Sequence, residues 1–257
     1  MLVDSHSHFD APEFDGDRAA ALRRARDAGV SRQVVPAITC AGWPKLRAIC
    51  QDDAGLFPAY GLHPMYLSEH RPEHLRELRD WIEREAPVAV GECGLDHFVE
   101  GLDPARQAHY FDGQLRLARE FDLPVIVHAR RAVDAVIAAI RRVGGLRGVV
   151  HSYSGSPEQA RQLWQLGFLI GLGGPVTYER ANRLRTLAAS MPLEFLLLET
   201  DSPDQPDAGI RGERNEPARL AVVRDTIAAL RGSAPDEIAA ATTRNAERLF
   251  GLPLPAP

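Results

Sequence analysis

The sequence begins Met1-Leu2-Val3-Asp4-Ser5-His6-Ser7-His8, a short apolar run that leads into a His-x-His pair. An apolar run of this kind predicts a β-strand, and side chains two residues apart along a strand project from the same face. His6 and His8 therefore point the same way, and two neighbouring neutral imidazoles bind zinc, manganese, iron or nickel. A single His-x-His pair is weak evidence for a metal site, so the prediction depends on partners further along the chain.

The alternation of a short apolar run with a helical segment repeats along the chain. Seven further strands are predicted at 30–38, 56–61, 88–91, 124–127, 148–150, 168–173 and 195–200. The predicted helices are 15–28, 43–50, 72–85, 103–121, 133–143, 157–166, 178–189, 217–230 and 235–249. Eight apolar strands that alternate with helices predict parallel βαβ units whose sheet is covered on both faces. We therefore expect an α/β fold, a (β/α)8 TIM barrel, with a doubly wound open sheet as the alternative.

The composition is that of an ordinary globular protein, with 45% hydrophobic and 25% charged residues in a chain of 257. No linker, repeat or low-complexity stretch divides it, so we expect a single domain over 1–257. No run of about 18 apolar residues predicts a transmembrane helix. The N-terminus lacks the pattern of a signal peptide, and the three cysteines lack CxxC spacing. Together these features predict a cytoplasmic protein with reduced thiols and no membrane contact.

The formal net charge of −5 argues against a surface that coats nucleic acid broadly, because such surfaces are basic. It leaves open an enzyme that grips one strand end through a local arginine cluster and a metal. Lys45 is the only lysine, so nearly all the positive charge is arginine, which suits bidentate contact with phosphate. Genome composition is the simpler explanation of that bias.

Residues that can bind a metal or donate protons follow most of the predicted strands. They are His6 and His8 after the first strand, His63 after the third, Glu92 after the fourth, His128 after the fifth, His151 after the sixth and Asp201 after the eighth. In a TIM barrel these strand ends form one face, which carries the active site. A lone histidine at a strand end is usually a core residue, but this many together would be costly to bury without a cation.

Six of these groups are too many for one tetrahedral zinc site and suit two metals that share a carboxylate. We assign His6, His8 and Asp201 to one metal, His128 and His151 to the other, and Glu92 as the bridge. Such a pair lowers the pKa of a water molecule so that hydroxide forms near neutral pH. Asp201 is the candidate general base or proton shuttle, so Glu92 and Asp201 are the predicted catalytic residues.

Several stretches in this order resemble the TatD-type metal-dependent deoxyribonucleases of the amidohydrolase-like barrel superfamily. They are Asp4-Ser5-His6-Ser7-His8, Tyr60-Gly61-Leu62-His63-Pro64, Gly91-Glu92-Cys93-Gly94-Leu95-Asp96, Pro124-Val125-Ile126-Val127-His128-Ala129-Arg130, His151-Ser152-Tyr153-Ser154-Gly155, Leu198-Glu199-Thr200-Asp201-Ser202-Pro203 and Arg214-Asn215-Glu216-Pro217. The resemblance implies metal-dependent phosphodiester hydrolysis, typically 3′-5′ exonuclease action on DNA or RNA ends. It also implies that the six side chains assigned above are the metal ligands.

Two departures from the family pattern concern the edge of the site. Ser152-Tyr153 stands where members often carry Cys-Phe, and His97 follows Asp96 where an aromatic residue is common. Both bear on substrate preference more than on the metal ligands.

The candidate substrate-binding residues are His63, Arg130, Tyr153 and Asn215. His63 and Arg130 could contact a phosphate, and Tyr153 could stack on a base. Each has a structural alternative: a turn-stabilising histidine, a solvated arginine, ordinary aromatic packing and, for Asn215, a helix cap. His70, His74 and His109 lie in predicted helical segments, where we expect them on the surface.

The leading hypothesis is a monomeric two-metal phosphodiesterase that acts on nucleic-acid ends. The ligands allow zinc, manganese, iron or nickel as the resident metal, while magnesium or manganese could serve in an assay. The alternative is an amide, lactone or deaminase hydrolase, although Lys45 is far from the position of the bridging lysine that many such barrels carry. A third hypothesis is a metal-binding protein without catalytic activity.

Overall fold

In the computed structural model, which describes residues 1–253, eight parallel strands form one sheet in the order β1 to β8. Their bounds are β1 Leu2–Asp4, β2 Val30–Pro36, β3 Leu56–Tyr60, β4 Ala89–Asp96, β5 Val125–Arg130, β6 Gly148–Val150, β7 Phe168–Leu172 and β8 Leu196–Leu198. The edge between β8 and β1 is joined just beyond the strands, where the Ser5 N–H donates to Leu198 O at 3.0 Å. The predicted TIM barrel is confirmed.

Nine α-helices follow or close the strands within the described residues. They are α1 Arg18–Asp27, α2 Trp43–Gln51, α3 His74–Glu85, α4 Pro104–Glu120, α5 Val133–Val143, α6 Pro157–Gln165, α7 Asn182–Ser190, α8 Leu220–Arg231 and α9 Pro235–Phe250. Local capping fixes several of their first turns. Asp103 accepts hydrogen bonds at the start of α4, and Ser156 forms a capping box with Gln159 at the start of α6. None of these helices is long and apolar enough to cross a membrane.

The barrel interior is filled by one apolar side chain from each strand. These are Val3, Val34, Ala59, Ala89, Ile126, Val149, Leu169 and Leu197, and they pack with Ala246, Leu249 and Phe250 of α9. A second apolar layer lies between the strands and the surrounding helices, and it contains bulky buried residues such as Trp43, Phe111 and Phe168. The polar residues that follow the strands are therefore confined to the mouth at the other end of the barrel.

The largest difference from the predicted elements is in β4, which was expected at 88–91 and extends to Asp96. Its register with β5 shifts between Val90 and Cys93, so Glu92 lies in an irregularity inside the strand. Such irregularities re-aim a side chain. Gly94 makes the continuation possible, because a Cβ there would lie 2.0 Å from the His128 carbonyl oxygen. Gly94 therefore allows close pairing of β4 with β5.

Smaller differences occur where short 3-10 turns replace ends of predicted helices. Residues 178–181 of the predicted helix 178–189 lie before α7, and Gly174–Thr177 form a 3-10 turn ahead of them. A further 3-10 turn, Pro217–Arg219, precedes α8. β8 ends at Leu198, so Asp201 lies in the loop beyond the strand.

Candidate metal centre

The carboxylate of Glu92 lies at the centre of the barrel mouth and is 1% exposed. Five imidazole nitrogens surround it: His6 Nε2 at 3.1 Å and His8 Nε2 at 3.3 Å from Oε2, and His63 Nε2 at 2.9 Å, His128 Nδ1 at 3.2 Å and His151 Nε2 at 2.7 Å from Oε1. Each oxygen of one carboxylate thus faces its own set of histidines. A carboxylate whose two oxygens face different histidines is placed to bridge two groups of metal ligands.

The set on the Oε2 side has the dimensions of a metal-coordination shell. His6 Nε2 and His8 Nε2 are 3.3 Å apart, and Asp201 Oδ1 lies 3.4 Å from the first and 3.5 Å from the second. Ligands of a tetrahedral ion with bonds of about 2.0–2.1 Å lie roughly 3.3 Å from one another. The separations from His6 and His8 to each other, to Glu92 and to Asp201 therefore match the spacing of ligands around one cation.

The set on the Oε1 side is oriented by a second carboxylate. His128 Nε2 contacts Asp96 Oδ2 at 2.8 Å, which turns Nδ1 towards Glu92. A histidine whose other nitrogen is held by a carboxylate is a common arrangement for metal ligands. His151 stacks on His6 with a centroid separation of 3.9 Å, so the two sets are in direct contact.

Several polar atoms at the centre of this cluster lack a hydrogen bond despite their proximity. Both oxygens of Glu92 and both ring nitrogens of His151 are buried without a hydrogen-bond partner, as is Nδ1 of His6. Leaving several buried polar atoms unpaired is costly. Divalent cations bound beside Glu92 would satisfy both of its oxygens and the Nε2 of His151.

The electrostatics of the cluster are equally unbalanced. Burial raises the pKa of Glu92, but the imidazoles of His151, His63 and His6 outweigh it and hold that pKa well below its usual range. Burial lowers the pKa of His8, yet the Glu92 and Asp201 carboxylates raise it overall to about 10. Burial also lowers the pKa of His6 strongly. The pKa values of the adjacent His6 and His8 therefore shift in opposite directions, so only one of the two rings carries a proton's positive charge. A cation bound between them would provide positive charge next to both rings.

His63, expected from the sequence to contact substrate, lies inside the cluster. Its Nδ1 accepts a hydrogen bond from the Met65 backbone N–H at 3.2 Å, which favours the tautomer with the proton on Nε2. Burial lowers its pKa to about 4, so the ring is neutral at pH 7. His63 therefore presents an N–H donor towards Glu92 rather than a free lone pair.

Asp201 is held in place by the loop that follows β8. It has a positive φ of 55°, its backbone N–H donates to His6 O at 2.9 Å, and its Oδ2 accepts a hydrogen bond from the Gln205 side chain. Asn215 donates from its side chain to Thr200 O and Asp204 O, both at 2.8 Å. Asn215 is 1% exposed, and its hydrogen bonds favour a role in shaping this loop, while a substrate contact stays a prediction.

Tyr153 and Arg130 complete the predicted substrate contacts. Tyr153 is 2% exposed, and its hydroxyl donates to Ser156 O at 2.6 Å, so its ring has no free face on which a base could stack. The predicted stacking role of Tyr153 does not fit this position. Arg130 is exposed beside the mouth, and its guanidinium lies 3.7 Å from the centroid of the Phe98 ring.

Two supporting groups were missed at the sequence level. Asp96 was quoted only as part of a motif, and nothing in the sequence indicated that it would orient His128. Asp4 is fully buried; it accepts hydrogen bonds from the His6 N–H at 3.2 Å, the Thr200 N–H at 3.0 Å and the Thr200 hydroxyl at 2.6 Å. It thereby joins the end of β1 to the loop after β8, across the edge that closes the barrel.

We expect Asp4→Ala to lower the free energy of unfolding by roughly 3 kcal/mol, because three buried donors lose their acceptor. Asp4→Asn keeps one carbonyl oxygen and should cost less. Urea unfolding followed by circular dichroism measures both. Asp27→Ala, at an exposed helical position, is the control and should change stability by less than about 0.5 kcal/mol. Equal stability of Asp4→Ala and Asp27→Ala would contradict the tethering role.

The expectation that His70 and His74 lie on the surface is wrong, since they are 3% and 4% exposed. The irregular segment before α3 turns both rings inward, and His70 Nε2 contacts His63 O at 2.8 Å. Helical periodicity could not reveal this, because residues 64–69 form 3-10 turns with a kink at Tyr66.

Comparison with known proteins agrees with this geometry. The family model described as TatD related DNase matches residues 3–251. An Escherichia coli protein named as the uncharacterized metal-dependent hydrolase YjjV is 43% identical over 255 residues, which cover 98% of each chain. The crystal structure of YjjV superposes with a TM-score of 0.93, at 42% identity over 98% of each chain. A 3′-5′ ssDNA/RNA exonuclease TatD from Erwinia amylovora is 33% identical, covering 98% of this chain and 100% of its own. The chain therefore belongs to the TatD-related DNase family and is a metal-dependent hydrolase.

Proposed function

We propose that this protein hydrolyses phosphodiester bonds at the ends of DNA or RNA as a 3′-5′ exonuclease that uses two divalent ions. One observation carries the proposal: the two carboxylate oxygens of Glu92 face different histidines. His6 and His8 lie beside Oε2, and His128 and His151 lie beside Oε1. A single carboxylate between two ligand sets is suited to bridging two metals, and paired metals recur in enzymes that act on phosphodiesters.

Six side chains would hold the two ions. His6, His8, Asp201 and Glu92 Oε2 form one ligand set, and His128, His151 and Glu92 Oε1 form the other. Divalent ions held by these side chains would lower the pKa of a nearby water and neutralise negative charge on the phosphate. Because these six side chains belong to five different strands or the loops that follow them, the barrel itself sets their spacing.

Asp201 is suited to act as the general base. Its Oδ1 faces the His6 and His8 side, while Oδ2 is held by Gln205, so the carboxylate is fixed in orientation. Without a bound cation, burial raises the pKa of Asp201. Carboxylates serve as general bases in such steps. A water that attacks phosphorus can pass its proton to this carboxylate.

The rim beside this centre suits a polyanionic substrate. Arg130 and Arg131 are exposed and lie 3.7 Å and 4.6 Å from the centroid of the Phe98 ring, which restrains both guanidinium groups. An adjacent pocket of about 580 Å³ is lined by His97, Arg131 and Arg183, among others. This local positive charge supports nucleic-acid binding by a chain whose net charge is −5.

Removing one of these arginines should weaken substrate binding more than chemistry. We expect Arg130→Ala to raise KM about tenfold while kcat changes less than about threefold, because a charge-assisted phosphate contact is worth roughly 1.5–3 kcal/mol. The matched control is Arg141→Ala, in the last turn of α5 at the other end of the barrel. Steady-state kinetics on a single-stranded oligonucleotide measures both variants. A lowered kcat with unchanged KM for Arg130→Ala would contradict the binding role.

An amide or lactone hydrolase remains the alternative activity, since ions in the same position could polarise a carbonyl. Lys45, the only lysine, is exposed and pairs with Asp15 at 2.9 Å, so it cannot serve as a bridging lysine. We favour the phosphodiesterase for this reason and for the arginine-rich rim.

The three free thiols, Cys40, Cys50 and Cys93, support a reducing compartment such as the cytoplasm, and a monomer remains the expected state.

The deciding experiment is a cleavage assay on single-stranded DNA, single-stranded RNA, lactones and N-acyl amides, with manganese or magnesium added. We expect release of mononucleotides from the 3′ end of 5′-labelled oligonucleotides, stopped by EDTA and restored by excess metal. Turnover of lactones or amides without nucleotide release would favour the alternative. Release of mononucleotides from the 5′ end would contradict the proposed polarity alone.

A further inference from the structure

We propose a second metal site, separate from the barrel mouth, in which Cys40, His74 and Glu77 bind one zinc-class divalent cation. The ligand atoms that these three residues offer all lie within 4.8 Å of one another. They come from two distant parts of the chain: Cys40 lies in the turn after β2, and His74 and Glu77 lie in the first turn of α3.

The first turn of α3 presents its two donors on one side. His74 and Glu77 are three residues apart, so their side chains are neighbours on the helix surface. Cys40 approaches from the facing turn, where its thiol donates to Glu77 Oε2 at 3.3 Å. A thiol, an imidazole and a carboxylate from two segments are a usual partial ligand set for zinc.

His74 supplies the independent indication of a missing partner. The residue is 4% exposed, and its Nε2 is buried without a hydrogen-bond partner. Nδ1 accepts a long hydrogen bond of 3.3 Å from the backbone N–H of the exposed Arg71. Coordination through Nε2 moves the ring proton to Nδ1 and gives up that one weak contact, while it satisfies the orphaned nitrogen.

Charge and softness select the type of cation. A Cys40 thiolate and the Glu77 carboxylate together balance the charge of a divalent ion, so the half-buried site becomes neutral when occupied. Thiolate ligands favour zinc over the hard ions magnesium and manganese. The proposed ligands at the barrel mouth include no sulfur, so ions supplied for hydrolysis would not compete well for this second site.

The site would act as a clip between two loops of the active face. Cys40 follows β2, and the segment between β3 and α3 carries His63, whose backbone N–H donates to Ile38 O at 2.9 Å. Zinc would fasten the start of α3 to the turn that contains Cys40, near both ends of this contact. Its expected role is structural, since none of the three ligands belongs to the cluster around Glu92.

Cobalt substitution separates this site from the barrel mouth, because only a thiolate ligand gives a sulfur-to-cobalt charge-transfer band in the near ultraviolet. The full-length protein is stripped with a chelator and titrated with Co²⁺. We expect the band in the wild type and in the matched control Cys50→Ser, and its loss in Cys40→Ser. In His74→Asn and Glu77→Gln we expect the affinity for cobalt, measured by titrating this band, to fall at least tenfold.

Zinc content gives a second readout. After equilibration with zinc, Cys40→Ser should hold one equivalent less than the wild type, while its manganese-supported hydrolysis stays unchanged. The proposal is overturned if the wild type shows no charge-transfer band, if the band persists in Cys40→Ser, or if zinc content is the same in both proteins.

Discussion

Glu92→Gln is expected to lower hydrolysis by about a thousandfold or more and to reduce the bound divalent metal. An amide oxygen is a weaker ligand than a carboxylate oxygen, and an amide has only one oxygen, so it cannot serve the two ligand sets that face Oε1 and Oε2. Loss of metal assistance worth several kcal/mol corresponds to roughly this factor in rate. Steady-state rates and elemental analysis of the dialysed protein measure the two effects.

The matched control for this change is Glu100→Gln, an exposed glutamate in the loop after β4. It should keep the wild-type rate and metal content. Circular dichroism shows whether Glu92→Gln is folded, which separates loss of the site from loss of the protein. A folded Glu92→Gln protein with full metal-dependent activity would refute the bridging role.

Asp201→Asn is expected to lower kcat by roughly 10²–10⁴-fold while the protein keeps most of its metal. The amide preserves the shape and an oxygen ligand but cannot accept a proton at neutral pH. Asparagine also tolerates the positive φ of 55° at this position, so the loop conformation should survive.

Asp204→Asn serves as the control for Asp201→Asn, because it lies in the same loop and its side chain is exposed. The measurement is kcat across a pH series, together with metal content. If Asp201→Asn retains its metals and also the wild-type kcat, then another group accepts the proton. A loss of the metal beside His6 and His8 together with the loss of kcat would assign Asp201 to ligation.

The fold could be predicted because its signal is repeated. Each apolar run that is buried on both faces, such as Val125-Ile126-Val127, reads as a strand without knowledge of its neighbours. The gathering of His6, Glu92, His151 and Asp201 at one mouth follows from the parallel direction of the strands. That part of the site required only the order of the elements.

The remaining features depend on contacts between distant residues. Glu92 is aimed by a register shift against β5, and Gly94 tolerates a close backbone approach that the sequence does not reveal. Tyr153 is drawn inside by a hydrogen bond to Ser156 O, although an aromatic residue in a loop gives no sign of its direction. Asn215 is fully engaged with backbone carbonyls that belong to the loop after β8.

The arginine-rich rim beside the metal centre could be predicted only in part, because it also depends on contacts between distant residues. Arg130 was identified by its place after His128, but Phe98 gave no signal, because its role depends on lying beneath two guanidinium groups. The proximity of Cys40 to His74 likewise requires the packing of α3 against the turn after β2.

Anomalous diffraction from crystals grown with manganese tests most directly whether Glu92 bridges two cations. Two anomalous peaks are expected at the barrel mouth, roughly 3.5–4 Å apart, one beside His6 and His8 and the other beside His128 and His151. Each peak should lie within bonding distance of one Glu92 oxygen. A single peak, or two peaks of which one does not touch Glu92, would contradict the account.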